Sequence, residues 1–146
     1  QWVFEQFGIS PSIHPADEHR YTHAGEELQL FLHQRVEIPV PPLEGFLTDG
    51  QTLQLGKHEF EVIHTPGHTP GGVCFYCATE QLLFSGDSLF AGSIGRCDLR
   101  EGDMDTLLNS ITTRLMVLPD DVQVYPGHGE STSIGRERDT NPYLVH

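Results

Sequence analysis

This 146-residue sequence predicts a mixed α/β fold in one domain, residues 1–146. Three observations carry that prediction. Short apolar runs of strand length alternate with a longer run at helical spacing. Fifteen glycines and ten prolines punctuate these runs into many turns and loops. Three strand-like runs also end on a glycine followed by a metal-binding side chain: Gly67-His68, Gly86-Asp87 and Gly127-His128.

The chain opens with an amphipathic helical segment, Trp2, Val3 and Phe7, stopped by Gly8. This reads as the back half of a helix, so the chain is expected to be part of a longer protein. Ile9 to His14 is a short strand candidate. Pro15 then opens a helix, with Asp17 and Glu18 in its first turn. That helix is predicted to run to about Arg35, with Tyr21, Ala24, Leu28, Phe31 and Leu32 on one face. His14, His19, His23 and His33 lie in or near it without metal-site spacing and are expected to be ordinary histidines.

Pro39, Pro41 and Pro42 make an extended connector. Thr52 to Leu55, Gly56-Lys57 and His58 to Ile63 predict a β-hairpin, the second strand reaching His64. Strands over Val73–Tyr76, Leu82–Ser85 and Val122–Tyr125 follow. Cys74 and Cys77 form C-x-x-C inside a strand, where residues three apart face opposite ways, so both are expected to be structural. Cys97 falls in the glycine-punctuated loop 88–100 and is expected to be exposed near the site. Asp103 starts a helix that places Met104, Leu107, Leu108, Ile111, Leu115 and Leu118 in the core and stops at Pro119-Asp120. A last helix is predicted over Ser131–Thr140.

Composition narrows the function. Eight Lys and Arg against 21 Asp and Glu give a net charge of −13, which argues against nucleic acid or an anionic membrane surface as partner. No apolar run reaches transmembrane length, and no signal-like segment opens the chain. Three cysteines do not build a disulfide framework. A cytoplasmic protein is the expectation.

His68, Asp87 and His128 are the candidate metal ligands. Two imidazoles and a carboxylate suit zinc, iron or manganese better than copper–thiolate or iron–sulfur chemistry. A carboxylate has two oxygens and can bridge, whereas each imidazole offers one lone pair. Arg96, after Gly95 in the loop beside Asp87, is the candidate for substrate contact or loop anchoring; an ion pair with Asp98 or Glu101 is the alternative.

The runs T-P-G-H-T-P-G-G, L-F-S-G-D-S-L-F-A-G-S-I-G-R-C-D-L and Y-P-G-H-G-E-S-T-S-I-G-R-E-R-D-T-N-P-Y-L resemble the metallo-β-lactamase superfamily, and within it the short glyoxalase II-like (hydroxyacylglutathione hydrolase type) proteins. The resemblance implies an αββα sandwich with two divalent metal ions at one edge, zinc first and iron or manganese as alternatives. It makes His68 a ligand of one metal, His128 of the other, and Asp87 the bridge and the catalytic carboxylate. It further implies hydrolysis of a small-molecule thioester by a metal-bound hydroxide. The family's H-x-H-x-D-H segment is absent from these residues, so the chain looks like the C-terminal portion of such a hydrolase, lacking the N-terminal strands. An incomplete sandwich would expose a sheet edge and apolar surface, predicting self-association. A persulfide dioxygenase-like iron enzyme shares the G-R-x-D run seen at Gly95-Arg96-Cys97-Asp98. A non-catalytic fragment is the reading from another class.

Overall fold

The computed structural model describes residues 2–25, 29, 33 and 38–145. Contacts group the chain into two units, Gln1–Leu47 and Thr48–His146.

In the first unit, helix α1 (Trp2–Phe7) ends where the sequence stops it. Gly8 sits at φ +65 and donates its N–H to the Phe4 carbonyl at 2.8 Å, a left-handed cap. Strand β1 (Ser12–Ile13) pairs in parallel with β2 (Gly45–Phe46). The sequence reading missed β2, because two residues carry no periodicity. Pro15 opens a 3-10 turn (Pro15–Asp17) leading into α2 (Glu18–Thr22). The helix predicted to run to about Arg35 is interrupted at His23. There the Thr22 hydroxyl donates to the Glu18 carbonyl at 2.9 Å, and the His23 ring lies 3.0 Å from the His19 carbonyl. Side chains compete with the helical ladder at this point. Leu28, Phe31, Leu32 and Arg35 lie outside the described residues. The His19 and His23 rings stack at 4.3 Å and His14 Nδ1 accepts the Ala16 N–H, so these histidines serve local structure. In the proline connector, the Pro41 carbonyl accepts from the Tyr21 hydroxyl at 2.9 Å.

The second unit is built on a six-stranded sheet of order β10-β9-β6-β5-β4-β3. Its strands are β3 (Thr52–Leu55), β4 (His58–His64), β5 (Val73–Cys77), β6 (Leu82–Gly86), β9 (Gln123–Pro126) and β10 (Thr132–Ser133). Every neighbouring pair is antiparallel except β6 and β9, which are parallel. Val62 and Ile63 are both buried although they point to opposite faces, which is why the alternation fades at the end of β4.

On one face, Ile63, Cys74, Leu83 and Val124 pack with helical residues into a single core. Asp103 caps helix α3 (Met104–Ser110), its carboxylate accepting the Thr106 N–H. A π turn over Ile111–Leu115 continues α3 and closes with the Met116 N–H on the Ile111 carbonyl at 2.9 Å. Leu107, Ile111 and Leu115 are fully buried, but Met104 is 42% exposed. Met104 was predicted in the core; as the first residue of the helix it precedes the turn that docks. The predicted last helix starts later than expected. Thr132–Ser133 pair with β9 instead, and Ser133 caps α4 (Ile134–Thr140). Arg138 of α4 donates to the Met116 and Leu118 carbonyls at 2.7 and 2.8 Å, satisfying the end of the preceding helical segment.

The opposite face carries Phe60, Phe84 and Tyr125 in a row, ring centroids 6.0 and 5.8 Å apart. Phe84 and Tyr125 are each 42% exposed. Cys74 and Cys77 point to opposite faces and are buried free thiols, as predicted. Burial pushes the Cys74 thiol up to about 11. Cys97 was expected to be exposed near the site. It is instead half-buried against the core, with its thiol directed to the Gly95 carbonyl.

Asp49 accepts from Arg114 Nη2 at 2.8 Å and from the His64 N–H at 2.8 Å. The Arg114 hydrogen bond, assisted by the His64 amide, holds its carboxyl below the usual value of 3.8 despite partial desolvation. A depressed folded-state value adds stability that is present above the unfolded-state value and is lost as pH falls through the folded one. The expected result is an acid limb below pH 4 in urea midpoints that Asp49→Asn flattens. An unchanged limb would mean other carboxylates carry it.

Candidate metal site at one sheet edge

Strand direction brings the three predicted ligands together. β5 runs back between β4 and β6, so β4 and β6 point the same way, and β9 lies parallel to β6. The C-terminal ends of β4, β6 and β9 therefore share one edge of the sheet. His68 follows the first, Asp87 the second and His128 the third. Asp87 is central because β6 lies between the other two in the sheet order. A register shift between Phe84 and Gly86 re-aims the end of β6 toward this edge.

His68 Nε2 lies 3.7 Å from Asp87 Oδ2, and His128 Nε2 lies 3.8 Å from Asp87 Oδ1. Each imidazole thus faces its own carboxylate oxygen, at separations too long for hydrogen bonds. Two donors on one zinc at about 2.1 Å, at a tetrahedral angle, are roughly 3.4 Å apart. The spacing therefore fits donors around cations, one on each side of the carboxylate. Among the described residues no group of three or more His, Cys, Asp or Glu converges on a single point. This follows from the geometry, since each side of Asp87 offers one imidazole nitrogen and one carboxylate oxygen. The donors fit in kind and spacing, and a four-coordinate shell needs further ones.

His68 Nδ1 sits 2.7 Å from the backbone carbonyl of Arg96. A carbonyl only accepts, so Nδ1 carries the proton and the Nε2 lone pair faces Asp87. The Arg96 side chain does something else. Its guanidinium forks onto Asp98 at 2.9 and 3.0 Å, and this hydrogen bonding holds the Asp98 carboxyl below its ordinary range. The ion pair with Asp98 is the alternative that the sequence offers for the Arg96 side chain; the contact with His68 comes from its backbone. His64 serves structure, its Nε2 lying 2.9 Å from the Pro70 carbonyl.

Within the predicted loop 88–100, residues 89–94 fold into a two-strand hairpin, β7 (Leu89–Phe90) and β8 (Ser93–Ile94), and residues 95–100 are loop. Phe90 stacks on the His128 ring at 4.5 Å and 27°. His128 is otherwise open, 75% exposed against 20% for His68. Together with Ala91, Ile94, Arg96 and Glu130, these residues line a cavity of about 530 Å³, within the size range of small-molecule sites. Phe90 was missed because its partner is 38 positions away, and the only local clue was a two-residue turn at Ala91-Gly92.

Gly127 approaches so closely that a Cβ there would lie 2.5 Å from Asp87 Oδ1. Gly127→Ala is expected to displace the carboxylate and weaken metal affinity about tenfold or more, measured by competition with a chromophoric chelator. Unchanged affinity would show that the carboxylate can move without cost.

Residues 1–128 match the profile of the metallo-beta-lactamase superfamily. The hydroxyacylglutathione hydrolase GloC of Haemophilus influenzae is 43% identical over 149 residues, covering 84% of this chain and 70% of that protein. The chain spans about half the length of curated relatives from Aquifex aeolicus and Bacillus subtilis (50% and 52%), at 42% and 40% identity. Among solved structures, BLEG-1 B3 metallo-beta-lactamase aligns with a TM-score of 0.88 at 39% identity, over 99% of this chain and 69% of that one. TTHA1623 in a di-iron-bound form gives 0.83 at 37%, over 97% and 68%. ETHE1 from Myxococcus xanthus gives 0.65 at 34%, over 68% and 45%.

Proposed function

This chain belongs to the metallo-β-lactamase superfamily and has its fold, and from that premise we propose that it carries part of the site of a metal-dependent hydrolase of thioesters of the hydroxyacylglutathione type. The observation that supports this reading most is the placement of one carboxylate between two imidazoles, each facing a different oxygen. His68 and Asp87 Oδ2 would hold one divalent ion, and His128 and Asp87 Oδ1 the other. Zinc suits the donors, and so does iron, which the TTHA1623 structure holds as a pair. When bound, such ions lower the pKa of water toward neutrality and polarise a carbonyl.

The chain's own residues supply the rest. The Arg96 carbonyl keeps the His68 lone pair turned toward the metal position. Asp87 contributes negative charge to both sides at once. The hairpin wall of Phe90, Ala91 and Ile94 gives an acyl group an apolar surface to lie on. Arg96 brings a guanidinium to the same cavity, where it would draw an anionic substrate through partial release from Asp98.

The test is metal content by plasma mass spectrometry followed by thiol release from a hydroxyacylglutathione thioester. Both are measured on this chain and on a polypeptide lengthened toward its relatives' full size. About two equivalents of metal and metal-dependent thiol release in the longer form are expected. One tightly held iron with oxygen uptake on a persulfide substrate would replace the hydrolase with a dioxygenase. Absence of metal in both forms would overturn either enzyme.

A further inference from the structure

Glu137 is fully buried in helix α4, and the proposed chemistry does not use it. Its carboxylate accepts three hydrogen bonds. Oε2 takes the Gly92 N–H at 2.8 Å and Asn141 Nδ2 at 2.8 Å, and Oε1 takes the Thr132 hydroxyl at 2.6 Å. Asn141, also fully buried, donates from the same Nδ2 to the Ser93 carbonyl at 3.0 Å. Both contacts with the preceding hairpin fall at its turn, Gly92 and Ser93, 45 and 48 residues away in sequence. That turn joins Phe90 to Ile94, and Phe90 is the ring against which His128 stacks.

We propose that Glu137 and Asn141 are positioning residues for the site: one buried polar brace that holds the β7–β8 turn and, through Phe90, sets the orientation of His128. The physical argument rests on exposure and stiffness. His128 is 75% exposed and lies two residues beyond the end of β9, so the strand anchors its backbone but does little to fix the ring. The Phe90 face does, provided the hairpin cannot rock. A two-residue-per-strand hairpin is too short to be rigid alone. Buried hydrogen bonds to its turn supply that rigidity, because breaking one inside the protein leaves a polar group without water to replace it.

The proposal rests on the reading of His128 as a site residue, but its test needs neither metal nor turnover. The ring-proton resonances of His128 are followed by NMR in the chain and in Glu137→Ala, Glu137→Gln, Asn141→Ala and Phe90→Ala, with His58 as the internal reference. Stacking on an aromatic face shields a ring. Phe90→Ala therefore moves the His128 resonances downfield, and Glu137→Ala and Asn141→Ala are expected to move them the same way while His58 stays in place. Glu137→Gln is expected to preserve them: its amide oxygen can accept from Gly92 and Asn141 while its NH2 donates to the Thr132 hydroxyl. A folded Glu137→Ala protein with His128 unmoved overturns the proposal, as does a Gln variant that shifts His128 as far as Ala does. Should Glu137→Ala fail to fold, Asn141→Ala carries the test, and an unmoved His128 there overturns it equally. None of these failures touches the proposed hydrolysis, which metal content and thiol release judge separately.

Discussion

Asp87→Asn is expected to remove metal binding at the sheet edge while leaving the fold in place. The carboxylate is the one group that both imidazoles face, at 3.7 and 3.8 Å. An amide has nearly the same shape but no charge, and it turns an N–H toward one of the two positions. One cation would then meet an N–H where it needs a lone pair, and the other a neutral carbonyl oxygen in place of a charged one. Asp87 is 42% exposed and reaches out of the sheet edge, so little packing depends on its charge. In the polypeptide lengthened toward its relatives' full size, isothermal titration with zinc should show uptake lost, while the thermal unfolding curve keeps its midpoint. In a metal-loaded, catalytically complete form, the expected drop in kcat/KM is about a thousandfold or more, equivalent to roughly 4 kcal/mol of transition-state stabilisation. Normal zinc uptake by the variant would place the metal elsewhere.

Gly67→Ala is expected to have the largest effect on stability. Gly67 sits at φ +134, a conformation that side chains rarely adopt, and an added Cβ would come within 2.4 Å of the Leu107 Cα, Cβ and backbone nitrogen. Helix α3 cannot yield there, because Leu107 is fully buried and the Asp103 N–H is bonded to the Gly67 carbonyl at 2.8 Å. Backbone strain and overpacking together should cost about 3–5 kcal/mol, a large part of a typical domain's stability. Gly56→Ala is the control. It also has positive φ, +61, but nothing lies within 4 Å of the added carbon, so about 1 kcal/mol is expected. Urea midpoints measure both. Equal losses would show that the loop and helix can part, and that the His68 loop is not clamped as described.

The two substitutions also separate what is local from what is not. A glycine before His68 and another before His128 are plain in the sequence, and so is the inference that the backbone turns sharply there. The obstacle that forbids a side chain is in each case far along the chain: Leu107 for Gly67, Asp87 for Gly127. Strands β3, β4, β5, β6 and β9 and the Asp103 cap were legible because alternation, turn residues and capping act over a few positions. The β1–β2 pair, the short β7–β8 hairpin and the π turn after α3 were not. Two-residue strands exist only through their partners, and the π turn has the same apolar spacing as a regular helix.

By itself the sequence determined the candidate side chains for the site and the turns that carry them: His68, Asp87 and His128, each behind a glycine at a strand end. It also determined the family, since three motifs in order constrain a chain far more than one. Only the tertiary structure decided that these strand ends lie at one edge with Asp87 in the middle, because that depends on β5 returning between β4 and β6 and on β9 pairing in parallel. It decided, too, that the Arg96 backbone rather than its guanidinium orients His68, and that Phe90 backs His128. Those contacts span 28 and 38 positions. They form only when burial of a shared core and completion of the sheet's hydrogen bonds bring distant segments together, and no local pattern records that.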